Sequence, residues 1–480
     1  MRRVFIAYLV IPNLVFNIMG YFIYSPRGLV NLDYLFLAFI APLLNRPLNI
    51  ALFIMWIGID LLGIIAPVYH FSSADMLLSF QYAFSLNGEN TYLVAALILC
   101  AVIMIAIICV VIASQNRRIF RLRAASPIIL AGLLLFSADI LSGANGIKLS
   151  TQIAPSVNLA TSAIYKTSMQ IYQNLSYSTD KAIFTKLKPQ EFSTSPLFAQ
   201  QFDSEKQQHF ENENIVVVVV ESLGISTSDA ITDQFQSPFV VNNVKSRYII
   251  ENGTVPYTGN TVMGEMRELC GLKGDSIGSI IREPLPTCLP SHLRDKGYQT
   301  IAMHGFTRHF FHRYKWYPLV GFNMMYFAED IVRLGSYEKC GSTYRGICDG
   351  DMVKYLREQL LQTAPQEKKF IYWLTLNSHL PVSSDSAEGS LFDCEVDSAT
   401  SKFEDVCRLF KIQHKVFSAI AELSMDPDIP PTKFIIVGDH APPFLSNEKR
   451  NLFVDRKVPF LVLSPLAEKR KYATQETHHD

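Results

Sequence analysis

The sequence has no excess charge of either sign: 43 Lys and Arg are balanced by 43 Asp and Glu. That balance leaves no basic field for nucleic acid, and no nucleic-acid partner is expected. No two of its eight cysteines stand at C-x-x-C spacing, which argues against a thiolate zinc cluster. Charge is scarce in the first 145 residues, where long apolar runs follow one another. No clear small-residue cleavage site follows the first of these runs, so a removed signal peptide is a poor reading of it.

What is present divides the chain. With 480 residues it is too long for one ordinary domain. Residues 1–145 read as a membrane anchor, 146–211 as a polar linker at the membrane surface, and 212–480 as a compact catalytic domain. Five segments are expected to cross the membrane: Val4 to Tyr24, Val30 to Leu44, Ile50 to Val68, Tyr92 to Ala113 and Pro127 to Ser142. Each is near the roughly 20 residues a spanning helix needs, the second and fifth being short. Arg2, Arg3, Arg46, Arg117, Arg118, Arg121 and Arg123 fall at one parity of loop, and Arg27 alone at the other. The positive-inside rule then puts the N-terminus in the cytoplasm and everything after Ser142 outside. The segment Ser73 to Phe84 reads as an interfacial helix or a loop helix packed on the spans. In the linker, Ala160 to Leu175 has the pattern of an amphipathic helix.

Cys100 and Cys109 lie within the fourth apolar run and read as small apolar residues. The other six cysteines all fall on the outer side, where disulfides persist. Neighbour pairing is the simplest arrangement: Cys270 with Cys288, Cys340 with Cys348, and Cys394 with Cys407.

Beyond Asn212, apolar runs alternate with helical patterns. Strands are expected at Ile215 to Val220, Thr300 to Met303, Phe370 to Leu376, Lys433 to Val437 and Val458 to Leu463. Helices are expected at Asp349 to Leu361 and Cys407 to Leu423. Such alternation predicts an α/β fold with a mostly parallel sheet sandwiched by helices. Ligands of such sheets bind past the carboxyl ends of the strands. There the sequence places Glu221 after IVVVVV, His304 in TIAMHG, His379 in WLTLNSHLP, and Asp439 and His440 in FIIVGDHAPP. Carboxylates and imidazoles converging on one edge suit one divalent metal, zinc or manganese, with magnesium possible. The stretch TGNTVMGEMRELCG adds Thr258, Thr261 and Glu265. Thr261 starts a predicted helix, so it is either an N-cap or a hydroxyl nucleophile activated by the metal. Trp316, Tyr317 and Tyr326 read as core or surface aromatics, and His309, His312 and His414 as ordinary polar residues.

Together these residues resemble the alkaline phosphatase/sulfatase superfamily over about Ile215 to Leu463. More narrowly, they are similar to membrane-anchored phosphoglycerol and phosphoethanolamine transferases, a group that includes lipoteichoic acid synthase and the osmoregulated glucan phosphoglycerol transferase. The resemblance implies that Glu221, Thr261, Asp439 and His440 hold the metal and that Thr261 is the catalytic nucleophile. The family pattern G-x-T-x-x-x-E matches Gly259, Thr261 and Glu265. The segment HGFTRHFFHR resembles one that carries substrate-binding roles, here His304, Phe311 and Arg313, with Phe311 where the family has Trp. His379 matches a family His before Pro, and it and Glu265 are likewise expected to bind substrate. The implied reaction moves a phospho-alcohol headgroup from a phospholipid, phosphatidylglycerol or phosphatidylethanolamine, through a phospho-threonine to a periplasmic or surface glycan. It also implies a bacterial inner-membrane location with an extracytoplasmic catalytic domain. Phosphoglycerol is favoured, because the Ser-Val-Pro-Cys continuation associated with lipid A phosphoethanolamine transferases is absent. The alternatives are a phosphoethanolamine transferase, a phosphodiesterase with the same site, and a binding protein with a degenerate site. A true sulfatase is disfavoured: CLPSHLR at Cys288 has His292 where the formylglycine motif needs Arg.

Overall fold

The computed structural model describes residues 6–22, 28–40, 44–66, isolated positions between 73 and 141, 147–149, 157–176, 188–189, 213–273, 288–341, 344–362, 367–444 and 446–466. The chain forms two compact units, one of residues 1–84 and 88–180, the other of residues 85–87 and 181–480.

The first unit contains α1 (Ile11–Phe22), β1 (Val30–Asn31), α2 (Leu32–Ile40), α3 (Arg46–Ile65), β2 (Ile147–Leu149), β3 (Val157–Thr161) and α4 (Ala163–Ser176). α3 starts where the Asn45 side chain accepts the Leu48 amide, with a proline in the first turn. Its stretch Pro47–Ile65 is the one helix among the described residues long and apolar enough to cross a membrane. The apolar helix Tyr8–Tyr21, inside the first expected span, is shorter.

The second expected span differs from its reading as one apolar helix. Val30 and Asn31 form a strand paired in parallel with Ala160 and Thr161. The helix that follows has nine described residues, about 14 Å and roughly half of a hydrocarbon core. The cause is polar: the Asn31 amide donates to Asn13 Oδ1, and Asn31 Oδ1 accepts the Asp33 amide. The span expected at Tyr92 to Ala113 lies outside the described residues, as do nearly all of Pro127 to Ser142 and Ser73 to Phe84.

Residues 157–176, within the segment read as a linker, are built into this unit. Asp33 accepts the Ser162 hydroxyl at 2.5 Å and the Ile164 amide at 2.9 Å, and Asp139 accepts the Ser162 amide at 2.9 Å. These bonds cap α4, whose first turn would otherwise leave its amides unpaired.

The second unit is built on a seven-stranded sheet. Its strands are β4 (Asn214–Val220), β5 (Tyr248–Pro256), β6 (Tyr298–His304), β7 (Met324–Phe327), β10 (Lys368–Leu374), β11 (Thr432–Gly438) and β12 (Lys457–Pro465). β8 (Lys339–Cys340) and β9 (Gly346–Ile347) form a separate small hairpin. The sheet order is β5-β12-β11-β4-β10-β6-β7. The five strands from β11 to β7 are parallel, and β12 and β5 are antiparallel additions at one edge. β4 is central and every residue of it is buried, which is why it reads as an unbroken apolar run. Val216, Val218 and Val220 pack with Ile371, Trp373, Phe434 and Ile436 in one core.

The helices used below are α5 (Asp229–Val241), α6 (Thr261–Cys270), α7 (Leu289–Asp295), α8 (Arg313–Val320), α9 (Asp349–Leu361) and α10 (Glu404–Ser424). Each expected strand and both expected helices are present within a few residues. β5 and β7 were not expected. β5 is an edge strand whose sequence, YIIENGTVP, carries Asn-Gly and Pro and reads as a turn. The three neighbour disulfides form as expected: Cys270–Cys288, Cys340–Cys348 and Cys394–Cys407.

Candidate active site and metal centre

Each chemical residue reaches the site because a buried strand ends beside it. Glu221 is the first residue after β4. Ser222 then turns out of the sheet at φ 55°, a left-handed conformation costing about 1–3 kcal/mol that its surroundings must hold. Its amide donates to Asp439 Oδ1 at 2.8 Å and its hydroxyl to Glu221 Oε1 at 2.9 Å. The Glu221 amide donates to Thr375 Oγ1, and its carbonyl accepts from Ser378 and Gln413.

Asp439 and His440 follow β11, the neighbour of β4 on one side. His440 Nδ1 lies 2.9 Å from the Ala441 carbonyl. A carbonyl only accepts, so Nδ1 carries the proton and Nε2 keeps its lone pair. That Nε2 is 3.6 Å from Glu221 Oε1, 3.3 Å from Asp439 Oδ2 and 3.3 Å from Thr261 Oγ1. Ligand atoms of Glu221, Asp439 and His440 all lie within 4.8 Å of one another, and all three residues are buried.

Thr261 begins α6, and its hydroxyl donates to Glu221 Oε2 at 3.1 Å. Within the helix the first amides bonded back to Asn260 are those of Met263 and Gly264, so the positive end of the helix faces the cluster. Thr261 is thus not an N-cap; Asn260 holds that position. Thr258 is exposed.

The donor set tests whether a divalent metal fits. Two carboxylates, one imidazole lone pair and one hydroxyl converge, a combination that suits zinc or manganese. Asp439 Oδ2 is buried with no hydrogen-bond partner. Burial, and then the adjacent Glu221 charge, push the Asp439 carboxyl far above its ordinary range. Burial acts upward on Glu221 too, but its neighbours, the Ser222 and Thr261 hydroxyls that donate to it among them, hold that carboxyl low. A divalent cation is the counterion that would let both ionise. The residues fit the group.

Beside this cluster lie His304, Arg313 and His379. His304 ends β6 and donates from Nδ1 to the Leu374 carbonyl at 3.0 Å. Burial, reinforced by Arg313, holds its imidazole well below the ordinary range, so it is neutral. His379 donates from Nδ1 to the Leu380 carbonyl, and burial also lowers it, partly opposed by Glu221. Phe311 and His312 both take positive φ, 53° and 52°, immediately before α8 begins at Arg313. The Trp316 indole ties this turn by donating to the Phe311 carbonyl. The Phe311 ring lies under the guanidinium, 5.1 Å from Arg313 Cζ.

Glu265 lies behind Arg313 and is fully buried. Its carboxylate accepts Arg313 Nη2 at 2.9 Å, Arg313 Nε at 3.2 Å, Tyr317 Oη at 2.5 Å and Tyr372 Oη at 3.2 Å. It was expected to bind substrate, but its acceptor sites are taken by these donors. It orients Arg313 instead, and it raises the pKa of a guanidinium that burial alone would lower. Arg313 Nη1 remains buried without a partner, as do His304 Nε2 and both polar atoms of Asn260. Buried polar groups are nearly always paired. Orphans at Asn260, His304, Arg313 and Asp439 mark a seat for a polar ligand beside Thr261.

Several contributors carry no signal in the sequence. Tyr317 and Tyr372 sit in apolar patterns yet bond Glu265. Arg267 donates from Nη2 to the Gly438 carbonyl and from Nη1 to the Asp439 carbonyl, joining α6 to the loop that carries Asp439 and His440. Gly264 makes that approach possible. A Cβ there would stand 2.8 Å from Asp439 Cβ and 2.9 Å from Asp439 Cα. Gly264→Ala is therefore expected to push α6 off the loop. The cost is about 1–3 kcal/mol of stability and roughly a hundredfold in rate, because Thr261 is misplaced. Thermal unfolding together with a kcat measurement checks both.

The family model for sulfatases matches residues 213–480. The chain belongs to the sulfatase family. Among solved structures it is similar to the lipoteichoic acid synthase LtaP of Listeria monocytogenes, at 16% identity over 55% of this chain and 69% of that one, TM-score 0.41. It is also similar to the phosphoglycerol transferase GacH of Streptococcus pyogenes, at 17% identity over 61% and 72%, TM-score 0.37. The periplasmic domain of EptC from Escherichia coli matches at 13% identity over 55% and 75%, TM-score 0.36. No curated protein sequence matches the chain significantly. Within the sulfatase family this member has Cys288 closed in a disulfide with Cys270, so CLPSHLR offers no thiol for a formylglycine.

Proposed function

We propose that the protein transfers a phospho-alcohol headgroup, phosphoglycerol in preference to phosphoethanolamine, from a phospholipid to an extracytoplasmic glycan through a phospho-threonine at Thr261. The supporting observation is the Thr261 hydroxyl, 3.1 Å from Glu221 and 3.3 Å from His440, within a buried Glu-Asp-His cluster. When bound there, a divalent cation would acidify the hydroxyl and neutralise the two carboxylates.

Thr261 Oγ1 attacks phosphorus, the bond from phosphorus to the diacylglycerol oxygen breaks, and the proton ends on diacylglycerol. The product is a phosphodiester joining the headgroup to Thr261. An acceptor hydroxyl then displaces Thr261, which recovers a proton. Arg313 Nη1 meets a phosphate oxygen where charge builds up. His304 and His379, each donating from Nδ1 to a carbonyl and held neutral, present Nε2 as an acceptor for headgroup hydroxyls.

Phosphoglycerol is preferred because the nucleophile stretch, TGNTVMGEMRELCG, resembles that of the phosphoglycerol transferases. A lipid donor also accounts for an apolar first unit, for which we propose several spans with the N-terminus in the cytoplasm.

Incubation of the full chain in detergent, with zinc or manganese, tests the function. Phosphatidylglycerol is expected to release diacylglycerol and phosphatidylethanolamine to release much less. The reverse order would make it a phosphoethanolamine transferase. Hydrolysis without transfer to any alcohol would make it a phosphodiesterase.

A further inference from the structure

A short disulfide-closed loop stands at the edge of this site with no role in the chemistry above. It runs from Cys340, at the end of β8, to Cys348, just past β9, and three points fasten it. The Ile347 amide donates to the Gly305 carbonyl, one residue past His304, at 2.8 Å. Gly346 is seated so closely there that a Cβ would fall 2.2 Å from the Gly305 oxygen. Asp349, next to Cys348, accepts the amides of Leu376 and Asn377 and donates its own amide to Asn377 Oδ1. The loop is thus fixed to the ends of β6 and β10, the strands that carry His304 and lead to His379.

Tyr344 lies in this loop. Its ring centroid is 4.1 Å from that of His379, 5.2 Å from Phe310 and 5.7 Å from Phe306. Phe306 and Phe310 are buried, whereas Tyr344 is half-buried. His379 in turn lies within electrostatic reach of Glu221, His440 and Arg313. Phe311, where a stacking ring was expected, is buried under the Arg313 guanidinium instead. Among the described residues, Tyr344 brings a half-buried ring against His379.

We propose that Tyr344, presented by the Cys340–Cys348 loop, is a specificity-determining residue: its ring packs against the carbon skeleton of a polyol headgroup whose phosphate sits between Thr261 and Arg313. A rigid aromatic wall loses little entropy on binding and covers the C–H face of glycerol, while His304 and His379 take its hydroxyls. A headgroup with no carbon chain beyond the ester would gain nothing from it. The assignment rests on the transfer reaction proposed above.

Two synthetic diesters with one leaving group separate the possibilities: glyceryl p-nitrophenyl phosphate and methyl p-nitrophenyl phosphate, assayed on the full chain in detergent with added metal. The readout is the ratio of kcat/KM for the two. In Tyr344→Ala the glyceryl-over-methyl preference is expected to collapse about tenfold, chiefly through KM for the glyceryl diester, and in Tyr344→Phe to be kept. Cys340→Ser with Cys348→Ser, which frees the loop, is expected to lower the same ratio. An unchanged ratio in Tyr344→Ala overturns the assignment, even if both rates fall together. Wild-type protein inert on both diesters overturns the transfer reaction itself, and Tyr344 with it.

Discussion

Thr261→Ala is expected to lower headgroup transfer by more than about a thousandfold while the catalytic unit stays folded. A nucleophile has no substitute when its oxygen forms the covalent bond, and losses of this order are what removal of such groups produces. The fold should tolerate the change. Thr261 is the first residue of α6, its hydroxyl makes one donated bond to Glu221, and Asn260, not Thr261, stands at the N-cap position. Thr261→Ser keeps the oxygen and should retain part of the rate. Mass spectrometry of wild-type protein quenched with donor present and no acceptor should find the headgroup phosphate on the peptide containing Thr261. Transfer by Thr261→Ala at a rate near wild type, or label on another residue, would reject the covalent mechanism.

Glu265→Ala is expected to destabilise the second unit by about 3–5 kcal/mol, the usual result of stripping one partner from a buried ion pair. Arg313 is 1% exposed and Glu265 fully buried. Without the carboxylate, the guanidinium has only ring faces beneath it, and Tyr317 and Tyr372 lose their acceptor. Burial is the leading cause that holds both phenols well above their ordinary range, and it persists in the variant, so neither ionises to compensate. The melting temperature should fall by on the order of 10 °C. Activity should fall with it, since in the proposed reaction Arg313 Nη1 meets the phosphate, and the bonds to Glu265 are what hold its other nitrogens. If Glu265 bound substrate directly, the variant would instead show a raised KM with an unchanged melting temperature.

The contrast between these two residues shows what was legible beforehand. Thr261 and Glu265 stand four apart in one motif, and the resemblance assigned both to the site. Thr261 stands at the helix end open to the cluster, and Glu265 one turn further in, against Arg313 and two tyrosines. Spacing puts both on one face of a helix but does not say which strands cover that face. Tyr317 and Tyr372 were unreadable for the same reason: a tyrosine in an apolar run looks like core until its hydroxyl partner is known. The Phe311 ring, expected at the headgroup, is turned under the guanidinium by two consecutive left-handed residues, which no propensity predicts.

The sequence by itself determined the α/β character of the second unit and the order of its parallel strands' chemistry, while the four residues of the candidate metal group came from the resemblance. Six β-branched residues closed by Glu221, and two more apolar runs closed by His304 and by Asp439-His440, can be read in one dimension, because a parallel strand is buried on both faces and its first polar residue marks the ligand edge. The neighbour pairing of cysteines was readable too, since short loops bring their ends together at little entropic cost. Only the tertiary structure decided how those edges meet: that Gly264 lets α6 approach Asp439, that Glu265 orients Arg313, and that Tyr344 reaches His379. Each of these depends on contacts between segments far apart in the chain, where packing distance and burial, and not local pattern, set the role of a side chain.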